Sequence, residues 1–234
     1  LMKQYRQVHY VERKPHAMRE SVGRIIETLR SVRKQKKIFL FLIAFFFFID
    51  GVYTIIDMAT AYGSALGLDS TGLLLALLVT QFVAFPFSIL FGRLAEKYDT
   101  GKLILTCIAA YTGITVFAVF MKAQWQFWVL AIFVGMFQGG IQALSRSYFA
   151  KIVPPERSGE YFGLMDICGK GASFMGTTVV GLASQAFGSI NIGVSAIVFL
   201  FLAGALFFMK TEHSGSESMK NQENIIMEQQ LFHD

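Results

Sequence analysis

Long apolar runs separated by short polar breaks occupy residues 38–209. Six of them are of spanning length: 38–62, 71–92, 102–121, 125–147, 161–187 and 190–209. A helix crosses the hydrocarbon of a bilayer with about 20 predominantly apolar residues, so the pattern predicts an all-α membrane protein with six transmembrane helices. The breaks at Gly63 to Ser70, Tyr98 to Gly101, Lys122 to Gln124, Pro154 to Glu160 and Gly188-Ser189 carry turn-forming residues. Ahead of the first run, Val22, Ile25, Ile26, Leu29 and Val32 recur at helical spacing, with Arg24, Glu27, Thr28, Arg30 and Ser31 between them. That spacing predicts an amphipathic helix, and its basic flank favours a membrane surface over a partner helix. Residues 210–234 are polar and rich in Ser and Glu, which predicts a disordered tail.

Charge sharpens this picture. Hydrophobic residues make up 54% of the chain and charged residues 16%, yet 11 of the 21 Lys and Arg fall within residues 1–37. A soluble domain spreads its charges over every element, so this segregation places the chain in the membrane class. The first apolar run follows 37 mostly polar residues and can itself span, so it reads as a span and not as a signal segment. The basic segment beside it fits an anionic lipid surface, not nucleic acid. Cys107 and Cys168 fall within spans without metal-ligand spacing and read as buried thiols. Basic residues also mark two short connections, with Arg93, Lys97 and Lys102 in one and Arg146, Lys151 and Arg157 in the other, whereas the opposite side has only Lys122. The positive-inside rule then puts both termini in the cytosol, with Trp125 and Trp128 at the far interface.

Candidate chemistry comes from the polar residues inside the spans. A charge near the bilayer centre costs about 2.5–3.5 kcal/mol on insertion scales, so such groups are expected to face a bundle interior, a partner or water. Asp50 lies about 18 Å along the first span, near midplane, with Asp57 seven residues on and Tyr53 and Thr54 between. The second span brings Thr80 and Gln81 and then Pro86, where a kink is expected; the fourth brings Gln138, Gln142 and Arg146. In the fifth, Asp166 and Lys170 stand at i, i+4 and can pair. Lys170 is also the one candidate counter-charge for Asp50 from another helix. Spans three and six are apolar nearly throughout. Four polar helices around a wet cavity, with two packed outside, is the expected bundle. The alternatives are a neutralising Asp166–Lys170 pair that fixes packing, an interfacial role for Asp57, and interhelical bonding by Gln138 and Gln142. Gly135 and Gly139 form a GxxxG that reads first as close helix packing.

Gly92-Arg93-Leu94-Ala95-Glu96-Lys97, followed by Asp99, Gly101 and Lys102, resembles the loop signature of the major facilitator superfamily, with Glu96 where Asp is usual. Asp50-Gly51-Val52 and Thr80-Gln81-Phe82-Val83-Ala84-Phe85-Pro86 resemble the vacuolar amino-acid effluxer type of that superfamily and its bacterial relatives. So do Gln138-Gly139-Gly140, Gln142 to Ser147, and Pro154-Pro155-Glu156-Arg157 running to Leu164. Asp57 departs from that group, where a neutral residue is usual. The resemblance covers the C-terminal six helices, from about residue 20 to 209. It implies a 3+3 inverted-repeat bundle at 38–209, preceded by a cytosolic basic linker at 1–37 that carries the amphipathic helix. It also implies that Gly92, Arg93, Glu96, Lys97 and Lys102, with Arg146 and Arg157 on the second cytosolic connection, act in gating.

The resulting expectation is half of a secondary active transporter that moves a small solute by alternating access, with amino acids as the solute class the resemblance implies. Asp50, Tyr53, Asp57, Gln81, Gln138, Gln142, Asp166 and Lys170 would form its solute and proton pathway. Such a half needs the other six helices, from a longer parent chain, a separate subunit or a second copy; Leu1 in place of Met points to a longer parent. The bilayer, the solute and a proton are the other expected partners. The expected location is a bacterial cell membrane. The other reading is a truncated or accessory membrane subunit without transport activity of its own. An enzyme is not expected: all four His lie in the tails (His9, His16, His213, His233), and no nucleophile–base pair, metal cluster or cofactor motif is present in the sequence.

Overall fold

A computed structural model of the chain describes residues 28–231, with side chains from 28 to 214. Residues 1–27 of the expected linker at 1–37, with His9, His16 and the start of its amphipathic helix, and the last residues 232–234, with His233, lie outside the described residues. Residues 28–34 are helical, the helix ending at Gln35, and six long helices follow. They are α1 (Lys36–Ala65), α2 (Ser70–Lys97), α3 (Thr100–Val119), α4 (Gln124–Ile152), α5 (Ser158–Phe187) and α6 (Ile190–Leu231). Among the described residues there is no strand.

Five of the six, all but α5, are long and apolar enough to cross a membrane. α5 has the length, at 30 residues, but carries Glu160, Asp166 and Lys170 among Gly, Ser and Thr. It lies within the bundle, packed on α1 and α6. Several helices outrun the apolar segments that predict them. α2 continues through 93–97, so Gly92, Arg93, Glu96 and Lys97 sit on its last turns, and the turn itself shrinks to Tyr98 and Asp99. The backbone of α6 stays helical to Leu231 where a disordered tail was expected. At about 1.5 Å per residue its 42 residues exceed the ~30 Å hydrocarbon thickness. Residues 217–231 abound in Glu, Lys, Met and Gln, which are good helix formers.

The packing repeats with a three-helix offset. α1 packs on α5 and α6, and α4 packs on α2 and α3. Exchanging α1–α3 with α4–α6 maps these pairs onto one another and leaves the α1–α4 and α3–α6 contacts in place. An odd number of spans per repeat makes the second repeat start on the opposite side of the membrane, so the relation is inverted. One departure is that α5 packs closely on α6 while α2 and α3 do not pair comparably.

Lipid is as apolar as Leu, so close approach and specific contacts hold such helices together. A Cβ on Gly135 or Gly139 would stand 2.7 Å from the Thr80 or Ala84 carbonyl oxygen, so the GxxxG of α4 lets the α2 backbone press against it. α2 stays helical through Pro86, whose ring leaves the Phe82 carbonyl without an amide donor. An aromatic core fills the basic end: Phe41 stacks on Tyr148 and Phe149, with ring centroids 5.1 and 5.4 Å away, and meets Phe208 edge-on. Outward-facing Phe82, Phe85, Phe120, Phe174 and Phe199 are largely exposed, as lipid-facing rings are. Trp125 is exposed at the far end.

Caps fix the connections. Asp69 Oδ2 accepts the Gly72 amide at 2.7 Å, and Asp99 Oδ1 accepts the Lys102 amide at 2.9 Å. Gln126 Oε1 accepts the amides of Lys122 and Ala123 at the start of α4. At the basic end, the 28–34 helix is bonded to the start of α5. Thr28 Oγ1 donates to Glu160 Oε2 at 3.0 Å, Gln35 Nε2 donates to Tyr161 Oη at 3.0 Å, and Ser31 Oγ lies 3.3 Å from that phenol.

Candidate functional site

The charged residues inside the spans of α1, α4 and α5, with Tyr53 and Gln142, gather at the seam between α1 and α5, which α4 completes. Asp50 is fully buried there. Its Oδ1 accepts the Gly176 main-chain amide at 2.8 Å and, more weakly, the Thr54 hydroxyl at 3.4 Å; its Oδ2 is buried with no partner among the described residues. Gly176 permits this contact, because a Cβ there would run into both Thr54 Oγ1 and Asp50 Oδ1. Asp57, exposed on α1, accepts from Ser173 Oγ at 2.7 Å. Both α1 carboxylates are thus tied to a single turn of α5.

A cleft of about 110 Å³ opens beside this seam, lined by Phe45, Ile49 and Tyr53 of α1, Gln142 and Arg146 of α4, and Met165, Asp166, Gly169 and Lys170 of α5. Arg146 Nη2 donates to Asp166 Oδ1 at 2.8 Å and so bridges α4 to α5. This corrects the expected Asp166–Lys170 pair: the i, i+4 spacing allows it, but the guanidinium across the cleft takes the carboxylate instead. Nor is Lys170, the candidate counter-charge from another helix, paired with Asp50. Asp50 satisfies one oxygen on a backbone amide six residues further along α5, and Lys170 has neither ion pair nor hydrogen bond among the described residues. Lys170 is exposed, as an open cleft allows.

The two remaining glutamines stand apart from this cleft. Gln81 lines a narrow crevice of about 20 Å³ with Thr80, Ile55, Ile56, Ala131 and Val134, where α1, α2 and α4 meet. Gln138 is half-buried one turn from Gln142 on α4, and its Oε1 is buried without a partner among the described residues. In place of one hollow shared by four helices, the polar groups form a three-helix cleft and a separate crevice, with the α4 turns around Gln138 between them.

The expected gating residues lie at the basic end. Gly92, Arg93, Glu96, Lys97 and Lys102 are exposed there. Arg157 forms an ion pair with Glu160, Nη2 to Oε2 at 2.8 Å, and so joins the network that holds the 28–34 helix. Sequence reasoning missed a clasp at this end: Tyr148 Oη donates to Glu212 Oε1, and the Glu212 carboxylate lies against Gly101 in the first turn of α3. Lys151 Nζ donates to Thr100 Oγ1 at 2.9 Å, and Lys37 sits 5.8 Å from the Tyr148 ring centroid. Glu212 falls in the segment that its composition marks as a tail. Gly101, already part of the loop signature, was the available signal that something packs closely there. Ser173 and Gly176 were likewise missed as the partners of the two carboxylates.

Comparison with known proteins agrees with this architecture. The family model described as "Vacuole effluxer Atg22 like" matches residues 1–220. A Bacillus subtilis protein described as an uncharacterized MFS-type transporter, YxiO, is 42% identical over 96% of this chain and 52% of its own length. Autophagy-related protein 22-2 of Aspergillus clavatus is 27% identical over 78% of this chain and 32% of its own. Autophagy-related protein 22 of Cryptococcus neoformans is 26% identical over 77% and 35% respectively. The chain therefore spans between about a third and a half of these relatives' lengths. With its six packed helices and its match to the family over nearly the whole chain, this multi-pass membrane protein belongs to the Atg22-like vacuole effluxer family.

Proposed function

We propose that the chain is one six-helix half of a secondary active transporter, and that the α1–α4–α5 cleft is its share of the solute and proton pathway. The observation that carries this reading is the Arg146–Asp166 bridge with the unpaired Lys170 beside it, in an otherwise apolar bundle. Such groups burden membrane insertion and pair poorly with lipid, and in membrane proteins they mark pathways. At about 110 Å³ the cleft falls short of the about 300–1,000 Å³ of common ligand pockets. That size suits half of a site completed by a second six-helix body. The Arg146–Asp166 pair and the unpaired Lys170 bring both signs of charge to the cleft, the combination an amino-acid zwitterion needs, with Asp57 on Ser173 one turn further along α5. Asp50, buried and bonded on one oxygen only, is suited to carry a proton. Tyr53 and Gln142 orient the solute in the cleft; Gln81 in its own crevice and Gln138 on the intervening turns of α4 stand outside it and reach the solute only where the pathway extends past the cleft. Gly92, Arg93, Glu96, Lys97, Lys102, Arg146 and Arg157 gate the basic end, which faces the cytosol together with both termini. The basic segment and the 28–34 helix serve as the linker to the other half.

The test is amino-acid flux in proteoliposomes. The chain is reconstituted alone and together with the portion of the Bacillus subtilis relative that it does not cover. Flux from the pair, absent from the chain alone and abolished by Lys170→Gln, is the expected result. Equal background in every sample, with both proteins folded and associated, would overturn the reading in favour of an accessory subunit.

A further inference from the structure

Beside the 28–34 helix runs a second groove, of about 410 Å³, lined by Leu29, Val32 and Arg33 of that helix, Phe39, Leu42, Ile43 and Phe46 of α1, and Leu164 and Cys168 of α5. Arg33 is its one charged residue, exposed and without an ion pair or hydrogen bond among the described residues. Arg30 and Lys34, also exposed, flank it on the same helix. The helix is anchored. Val32 is buried beneath it, and the bonds to Glu160 and Tyr161 hold it across the start of α5. The groove thus has a fixed apolar floor on α1 and α5 and a cationic lip at the end of the bundle.

We propose that this groove binds an anionic phospholipid, with an acyl chain along Leu42, Phe46 and Leu164 and the phosphate on Arg33. The volume is within the range of ligand pockets. The floor is apolar from Phe39 to Cys168, so the occupant that fits it is an acyl chain. A guanidinium matches a phosphate through a two-pronged, charge-assisted contact. The neighbouring basic residues draw anionic lipid to this end, and an anionic head-group neutralises a cation that a zwitterionic one leaves partly uncompensated. Occupancy also touches the cleft: Leu164 and Cys168 line the groove, while Asp166 and Lys170, on the same turns of α5, line the cleft. A lipid wedged under the 28–34 helix therefore braces α5 from behind.

Native mass spectrometry of the whole chain, released from mixed micelles of phosphatidylglycerol and phosphatidylcholine, tests this. The expected result is retention of phosphatidylglycerol over phosphatidylcholine by about tenfold or more, a difference of about 1.4 kcal/mol. Arg33→Gln removes the preference and Arg33→Lys restores part of it. Cys168→Phe, which fills the floor, lowers retention of both lipids; Leu29→Trp at the exposed rim does the same should the first variant fail to fold. Equal retention of the two lipids overturns the proposal. So does a preference that survives Arg33→Gln, or one lost with Arg33→Gln but untouched by both groove-filling variants, which would mark a surface charge effect without a groove site. None of these readouts involves transport, so they are independent of the transporter reading.

Discussion

Asp50 on α1 accepts the main-chain amide of Gly176 on α5 at 2.8 Å, a contact that only a residue without a side chain at position 176 allows. Gly176→Ala should therefore separate the two helices. The added methyl would overlap both Asp50 Oδ1 and Thr54 Oγ1, and overpacking of this kind costs about 1–3 kcal/mol. Thermal unfolding in detergent should show the loss. Gly171→Ala on the same helix, where a Cβ meets nothing within 4 Å, should hold or raise the transition, since alanine favours a helix interior over glycine by about 1 kcal/mol. Equal effects at both positions would mean that helix propensity, not the contact, governs the result.

Substitution of Asp50 itself separates its two roles. Asparagine keeps an acceptor for the Gly176 amide and carries no charge, so Asp50→Asn should unfold at the same temperature or above. Asp50→Ala loses the acceptor and leaves a buried amide short of a partner, at a cost of about 1–3 kcal/mol. If Asp50 carries the proton, flux by the reconstituted pair should lose its dependence on a pH gradient in Asp50→Asn despite the intact fold. Unaltered gradient dependence would remove Asp50 from the pathway.

The sequence patterning showed the architecture because lipid makes it explicit: apolar runs, turn residues and segregated charge each report a bilayer, and five of the six expected spans lie within the six helices, the third overrunning α3 by two residues at Phe120 and Met121. It could place Asp50, Gln142, Asp166 and Lys170 on particular helices. It could not pair them, because pairing depends on helix rotation and crossing, which the 3.6-residue period leaves open between separate helices. Asp166 shows the consequence. Its i, i+4 partner was visible in the sequence, while its actual partner, Arg146, is 20 residues away on another helix. Gln81 and Gln138 show the same effect, polar and at the expected depth yet turned away from the cleft. Helix ends were hidden for another reason: a helix leaving the bilayer loses its apolar signal before it loses its hydrogen bonds, as α2 does at Lys97 and α6 beyond Met209.

The Arg146–Asp166 bridge should matter far more for transport than for stability. Its side chains are 58% and 49% exposed, and a pair so open to solvent contributes no more than about 1 kcal/mol. Arg146→Gln and Asp166→Asn should each unfold within a few degrees of the parent protein, while flux through the reconstituted pair falls by an order of magnitude or more. The charge-reversed double variant, Arg146→Asp with Asp166→Arg, distinguishes the roles. Recovery of flux means that the bridge itself is required; continued loss with a normal fold means that one of the two groups contacts solute directly.

At the basic end, the Glu212 clasp predicts how α6 is held. Glu212 accepts from Tyr148 of α4 and lies on Gly101 of α3, so it joins three helices at one carboxylate. Tyr148→Phe keeps the ring that stacks on Phe41 and removes only the hydroxyl. A hydrogen bond to a charged group is worth about 1.5–3 kcal/mol, so this variant should show faster amide exchange in 205–214 while α1 and α2 exchange as before. Gly101→Ala acts from the other side: its Cβ would stand 2.8 Å from the Glu212 carboxyl carbon, and the same segment should loosen. The two changes disrupt one contact, so combining them should add little beyond the larger single effect. Full additivity would mean that Tyr148 and Gly101 hold α6 by separate means and that Glu212 does not join them.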